Sequence, residues 1–172
     1  MNKALNALGF QSVWWAFIWG VGAGYELLAM AYAGLLGWVH WFRTDDRPRE
    51  LKLAGVALGL GVLTDSLLQW GSVISFHGMA IAPLSPFWLW LLWGLFAMTL
   101  NASLSFLQTQ ALWVSSLAGL VFGPVTYYAG AQWGAAQLSP TPMNLAVLGL
   151  AWALVMPALV RVAPYFSERP HT

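Results

Sequence analysis

The sequence predicts an all-α integral membrane protein: a single bundle of six transmembrane helices over residues 1–172, with both termini in the cytoplasm. The first supporting observation is composition, because 59% of the residues are hydrophobic and only 8% are charged. A soluble domain carries about 25% charged residues, so this chain cannot cover a water-facing surface. The other two observations are a series of apolar segments of nearly spanning length and the placement of the Lys and Arg residues.

Each predicted span is an apolar segment that approaches the length of about 20 residues needed to cross a membrane as a helix. In chain order, the segments are 5–21, 25–42, 53–76, 87–107, 111–133 and 143–163. The first two are short, and only the GVGAG stretch at 20–24 separates them. An alternative with five spans and a bent or interfacial first segment therefore stays open.

The Lys and Arg residues favour six spans over five. With six spans and a cytoplasmic N-terminus, all seven fall on the cytoplasmic side, in accord with the positive-inside rule. They are Lys3, Arg43, Arg47, Arg49, Lys52, Arg161 and Arg169. Five spans would place Lys3 on the opposite side from the rest.

Asp65 is an acidic residue inside an otherwise apolar span, where a charge is costly and marks a functional site by default. It lies about 20 Å past Lys52 along a helix, in the outer half of the membrane. Gly61, Asp65, Gln69 and Ser72 recur at helical spacing, so they share a face that should turn to the bundle interior. No Lys or Arg lies at this depth, so we expect the carboxyl to be protonated or held by hydroxyl and amide donors.

The predicted site is a pocket around Asp65 that opens away from the cytoplasm. The fifth span runs outward, so Tyr127 should reach the depth of Asp65. The candidate ligand-binding residues are Asp65, Gln69, Glu26, Tyr127, Tyr128, Gln132 and Asn101. The alternative is that Asp65 is a hydrogen-bonding strut between helices and that Glu26 only reaches water at the headgroups.

Asn101 belongs to a polar insertion in the fourth predicted span, FAMTLNASLSFLQTQ at 96–110. By helical rise it lies about 10 Å from the level of Asp65, in the cytoplasmic half. We therefore expect it to meet polar residues of the first or the fifth span, namely Gln11 and Ser12 or Ser115 and Ser116. The alternative is that the insertion only joins helices, as Asn and Ser often do in membranes.

Several chemistries lack a motif. The basic residues form no face, so nucleic acid is not an expected partner, and zero Cys excludes thiolate chemistry. His40, His77 and His171 lie at different depths, so we expect no metal site. GVGAG has no βαβ unit around it, and no cofactor is expected. Most Trp residues, Trp88 and Trp93 included, lie near predicted span ends and are interpreted as an interfacial belt.

Three stretches resemble a known family: TDSLL at 64–68, TLNASLSFL at 99–107 and GPVTYYAGAQWGA at 123–135. They are similar to a domain-of-unknown-function family of small multi-span bacterial inner-membrane proteins, numbered twenty-eight seventy-eight. Members often carry His after the Asn of the fourth span, where this chain has Ala102. Genes of such proteins tend to lie near fatty-acid-modifying enzymes. The resemblance therefore implies a bacterial inner membrane and lipid-related work, but no particular reaction.

These observations favour a protein that binds a lipid or lipid-like small molecule in a periplasmic-half pocket around Asp65. The alternatives are a small proton-coupled transporter, an intramembrane lipid-modifying enzyme and a purely structural subunit. A lipid-filled pocket would favour binding, a water path joining both faces would favour transport, and two carboxyls at one cavity would favour catalysis. Membrane lipids are the expected partners, and the Gly-rich fifth span also suits packing against a second copy of the chain.

Overall fold

The computed structural model describes residues 2–44 and 46–166, and Arg169 and His171 lie outside this part of the chain. The prediction of an all-α protein is confirmed, since nearly all the regular structure is helical. The six α-helices are α1 (Lys3–Gly22), α2 (Glu26–Arg43), α3 (Arg47–Trp70), α4 (Phe87–Leu100), α5 (Leu112–Gln132) and α6 (Pro142–Val162). Two short 3-10 helices cover Ser105–Thr109 and Ala163–Phe166, and two antiparallel strands are β1 (Ser75–Phe76) and β2 (Ala136–Gln137).

Capping groups in the sequence set where helices begin. The Asp46 side chain accepts a hydrogen bond from the backbone N–H of Arg49 at the start of α3. Thr141 accepts from the backbone N–H of Asn144 at the start of α6, where Pro142 occupies the first turn. Because Asp46 caps it, α3 begins at Arg47, before the start of the predicted apolar span at residue 53.

The helices surround a central space as an incomplete ring. α1 packs against α4, α4 against α3, α3 against α6 and α6 against α5, while α2 lies outside on α1 and α4. α1 and α2 run antiparallel, since Gly20 of α1 lies beside Ala29 of α2 and Ser12 bonds Tyr32 further along. α1 and α5 approach each other near their carboxyl ends, where the rings of Trp15 and Trp133 meet edge to face. Elsewhere along their length α1 and α5 stand apart, and this separation is the gap in the ring.

The bundle has two chemically different ends. At the hairpin end, the carboxyl ends of α1, α3 and α5 meet the amino ends of α2, α4 and α6 around β1 and β2. There His77 Nδ1 lies 2.8 Å from the Gly134 carbonyl oxygen, and Trp88 Nε1 donates to the His77 carbonyl at 2.8 Å. At the opposite, basic end lie all the Lys and Arg residues within the described part of the chain: Lys3, Arg43, Arg47, Arg49, Lys52 and Arg161.

Among the described residues, three helical segments are long and apolar enough to cross a membrane: Arg47–Trp70, Leu112–Gln132 and Pro142–Phe166. α4 is apolar but shorter, with 14 residues. α1 and α2 have 20 and 18 residues and are not among these three segments. Membrane localisation is therefore indicated by three helices, and the count of six spans stays a prediction.

α4 ends at Leu100, although the predicted fourth span continues to residue 107. The chain turns here because Asn6 of α1 satisfies the backbone of the turn. Its Nδ2 donates to the Met98 carbonyl at 3.2 Å, and its Oδ1 accepts from the Ser103 backbone N–H at 3.2 Å and from the Ser103 hydroxyl at 2.6 Å. The polar insertion is thus a turn bound to α1, not the middle of a helix.

We expect Asn6→Leu to lower the free energy of unfolding by about 1–3 kcal/mol, because it leaves the Met98 carbonyl and the Ser103 N–H without their partner. Gln11→Leu, at an exposed position of the same helix, is the control and should leave stability unchanged. Thermal unfolding in detergent, followed by tryptophan fluorescence, measures both. Equal midpoints for the two variants would show that the turn does not depend on Asn6.

Candidate functional site

Asp65 is fully buried, with 0% of its surface exposed, and it joins three helices. The Tyr127 hydroxyl of α5 donates to Oδ1, and Trp93 Nε1 of α4 donates to Oδ2 at 2.7 Å. Both oxygens are therefore satisfied by neutral donors. The expected hydroxyl donor is present, and the second donor is an indole N–H where an amide was expected.

Two stacked indole rings lie beside this carboxyl, and glycines make room for them. The rings of Trp93 and Trp152 have centroids 4.9 Å apart and an interplanar angle of 18°. A Cβ at Gly61 would overlap the Trp93 ring, and a Cβ at Gly123 would overlap the Trp152 ring. Gly61 and Asp65 are four residues apart on one face of α3, so the Trp93 ring packs on the first and donates to the second.

An apolar cavity of about 470 Å³ lies inside the ring of helices, in front of Trp93 and Tyr127. α1, α4, α5 and α6 form its sides, and aromatic rings provide much of the lining. Ile74 and Ala136 close it at the hairpin end, and Leu104 and Leu107 line it toward the basic end. Asp65 itself does not line the cavity; it holds two of the side chains that do.

The cavity opens sideways, through the gap between α1 and α5. Phe122 of α5 lines the cavity, yet it is 65% exposed. Phe106 also lines the cavity and is exposed, and Phe10 and Trp14 of α1 form the opposite side. When the helices lie in a bilayer, an opening of this kind faces the lipid chains and not bulk water.

The candidate residues do not line one pocket, so the prediction of a single pocket is wrong. Tyr127 lines the apolar cavity, with Asp65 behind its wall. Gln69 and Gln132 lie together in a separate groove at the hairpin end. Tyr128 is 43% exposed on the outer surface of α5. Consecutive helical residues point about 100° apart, so Tyr128 cannot face inward beside Tyr127.

Glu26 and Asn101 contribute to other parts of the fold. Both oxygens of Glu26 accept from the Met79 backbone N–H, at 3.1 and 3.0 Å, which ties the loop before α4 to the start of α2. Asn101 Oδ1 accepts from Gln108 Nε2 at 2.8 Å. The expectation that Asn101 meets Gln11, Ser12, Ser115 or Ser116 is wrong, because α4 ends at Leu100 and the Asn101 side chain bonds Gln108 of the following 3-10 helix.

The interfacial interpretation is wrong for Trp88 and Trp93, each of which is 4% exposed. α4 packs between α1 and α3, so these rings lie inside the bundle and their N–H groups bond to His77 and Asp65. One feature of the sequence could have indicated that the Trp93 ring is buried. Gly61, one turn before a buried acceptor, leaves the space that an indole ring needs.

Residues 3–158 match the family described as "Protein of unknown function (DUF2878)". The chain belongs to this family. The membership expected from the three motifs is thus confirmed, and the family description names no activity. No curated protein and no solved structure matches this DUF2878 chain.

The chemistry open to this DUF2878 protein is limited by how its acidic groups are used. Asp65 has both oxygens bonded and lies behind the cavity wall, whereas Glu26 is bound to the loop at Met79. The described residues therefore do not bring two carboxyls to one cavity. Among residues 2–44 and 46–166, no cluster of three or more His, Asp or Glu side chains is arranged to hold a metal ion.

Proposed function

We propose that this protein binds one chain of a lipid or lipid-like molecule in the apolar cavity, within a bacterial inner membrane. The observation that carries the proposal is the cavity of about 470 Å³ with its almost wholly apolar lining. Small-molecule sites span about 300–1,000 Å³.

The membrane frame of the proposal is six spans with both termini in the cytoplasm. It is supported by the alternating direction of successive helices along the chain and by the gathering of the described Lys and Arg residues at the basic end. Under the positive-inside rule, the basic end is cytoplasmic and the hairpin end is periplasmic. Asp65 then lies in the periplasmic half.

A chain would not enter this cavity through the hydrophobic effect, because the lipid tails outside are equally apolar. Van der Waals contact favours the bound state, since an empty cavity leaves its lining atoms without partners on one side. The gap between α1 and α5 provides a path from the bilayer that avoids water. Rigid aromatic walls then select the chain by shape.

Asp65 has a positioning role in this proposal. Its bonds to Trp93 and Tyr127 fix two aromatic walls of the cavity before a ligand arrives, which lowers the entropy lost on binding. This arrangement favours binding over the catalytic and proton-coupled alternatives that use Asp65 as the reacting group, because its carboxyl does not reach the cavity.

A variant that fills the cavity tests the proposal. Ala118 lines the cavity on α5, whereas its neighbour Leu117 is exposed on the outer surface. We expect Ala118→Phe to lose at least tenfold of the co-purifying lipid seen by native mass spectrometry, and Leu117→Phe to keep it. Thermal midpoints of the two variants control for folding. Equal lipid retention in both variants, or none in the wild type, would contradict the proposal.

A further inference from the structure

The apolar cavity is elongated, and its two ends differ in burial. Along α5 its lining runs from Val114 to Gly130, a distance of about 24 Å at helical rise. Near the hairpin end the lining residues Trp88 and Ala135 are buried. Toward the basic end the lining is partly exposed, since Phe106 in the 3-10 helix before α5 is 54% exposed. The cavity is therefore closed at the hairpin end and open toward the basic end.

The contact between α1 and α5 explains this difference. A Cβ at Gly22 would overlap the Trp133 carbonyl oxygen, and the Trp15 and Trp133 rings meet edge to face, so the two helices touch at their carboxyl ends. Both helices start at the basic end, and they stand apart in their amino-terminal halves. There Phe10 and Ala118 line the cavity from opposite sides. The path from the bilayer into the cavity therefore lies in the half of the bundle nearer the basic end.

The closed end determines the direction in which an acyl chain can lie. A methyl terminus needs only apolar contact, which Ile74, Trp88 and Ala135 provide. A head group buried among these side chains would lose its water without gaining hydrogen-bond partners. The head group must therefore stay at the basic end, where the cavity opens.

Lys3 lies on the cavity face of α1, beyond the open end. Phe10 and Trp14 line the cavity, and the spacings of seven and four residues from Lys3 to Phe10 and on to Trp14 place all three on one helical face. Lys3 is about 10 Å past Phe10 toward the basic end. The start of α1 is also held to the turn after α4, because Asn6 Oδ1 accepts from the Ser103 backbone N–H. Lys3 is thus placed beside the surface where a head group would emerge.

The ammonium group of Lys3 is available to an anion. Lys3 is exposed. Within the described part of the chain, the ion pairs join His40 to Glu50 and Arg49 to Asp46, and Lys3 takes part in neither. Lysine binds phosphate as a point charge, and basic side chains at a bilayer surface attract anionic lipids. This end of the cavity therefore favours an anionic head group.

We propose that the cavity binds one acyl chain of an anionic phospholipid from the leaflet at the basic end. The terminal methyl points to the hairpin end, and the phosphate lies near Lys3. In the six-span arrangement proposed above, this leaflet is the cytoplasmic one. The inference rests on the proposed function and goes beyond it by naming the lipid class, its leaflet and the direction of its chain.

Two photoreactive phosphatidylglycerols test the direction of the chain. One carries a diazirine beside the terminal methyl of an acyl chain and the other beside the ester carbonyl. Mass spectrometry locates the cross-linked residues after reconstitution of the protein into vesicles. Trp88 and Ala135 line the cavity and are buried, so lipid outside the bundle does not reach them. We expect the methyl-end probe to label them at least fivefold more than the ester-end probe, and Ala118→Phe to abolish this labelling.

The other outcomes of this experiment separate the two proposals. Equal labelling of Trp88 and Ala135 by the two probes, or stronger labelling by the ester-end probe, would overturn the direction of the chain and leave chain binding intact. Absence of labelling by either probe would overturn the proposed function as well.

Two exposed lysines test the head group. The purified protein is mixed with equal amounts of dioleoylphosphatidylglycerol and dioleoylglycerol, and the bound lipid is measured by native mass spectrometry. We expect the wild type to favour the phospholipid at least fivefold, and Lys3→Gln to reduce this preference at least threefold. Lys52→Gln removes the same charge at the same end, but from α3, across the bundle from the gap, and should keep the wild-type preference. No preference in the wild type, or equal effects of the two substitutions, would overturn the assignment of an anionic head group near Lys3.

Discussion

Asp65→Leu is expected to lower the free energy of unfolding by about 2–4 kcal/mol, whereas Asp65→Asn stays close to the wild type. Leucine leaves the Trp93 N–H and the Tyr127 hydroxyl buried without an acceptor. Each unpaired buried group costs about 1–3 kcal/mol, reduced in a membrane because the unfolded state also finds partners. Asparagine keeps both bonds, since its oxygen accepts from Trp93 and its amide donates to the Tyr127 oxygen.

Unfolding by dodecyl sulfate, followed by tryptophan fluorescence, measures this pair of variants. Neither Asn nor Leu can carry a negative charge, so the comparison separates hydrogen bonding from charge. If Asp65→Asn is as unstable as Asp65→Leu, the ionised carboxylate itself stabilises the cluster. If both match the wild type, Asp65 does not hold the three helices together.

Gly61→Ala should destabilise the protein by about 2–5 kcal/mol, although it adds only one methyl group. The new Cβ would overlap the Trp93 ring, which must move away from Asp65 and from the stacked ring of Trp152. Overpacking costs about 1–3 kcal/mol, and the broken hydrogen bond adds about 1 kcal/mol or more. Gly59→Ala is the matched control, since a Cβ at Gly59 meets no atom within 4 Å.

Near-ultraviolet circular dichroism and the unfolding midpoint are measured for both variants, Gly61→Ala and Gly59→Ala. The stacked indoles of Trp93 and Trp152 should give a signal that Gly61→Ala loses and Gly59→Ala keeps. Gly59→Ala should be neutral or slightly stabilising, because alanine favours a helix more than glycine does. A wild-type spectrum and midpoint for Gly61→Ala would show that the Trp93 ring is not confined as described.

Some of the fold and of the site could be predicted from the sequence. Composition and apolar segments indicated a helical membrane protein, and motif resemblance indicated the family. Helical spacing placed Gly61, Asp65 and Gln69 on one face, and depth paired Asp65 with Tyr127. These predictions succeed because helical rise and periodicity are properties of the local chain.

The remaining site residues could not be predicted because depth is only one coordinate. Tyr128 has nearly the depth of Tyr127 but points outward, and Glu26 lies at the hairpin end but faces a loop. Which side of a helix meets which neighbour depends on how all the helices pack. The turn after Leu100 depends likewise on Asn6, which is distant in sequence. The number of spans stays a prediction.

The cluster around Asp65 has a consequence for the order of events during synthesis. α3 leaves the ribosome first, and its two donors follow 28 and 62 residues later, at Trp93 and Tyr127. Until then, the nascent segment carries an unpartnered carboxyl, and its cost is at most the value of about 2.5–3.5 kcal/mol for the centre of an inserting helix. In the six-span arrangement proposed above, insertion of α3 together with α4, as a helical pair, would supply the first donor early. Arrival of α5 supplies the second donor, so assembly of the cavity wall is completed only when the fifth helix docks.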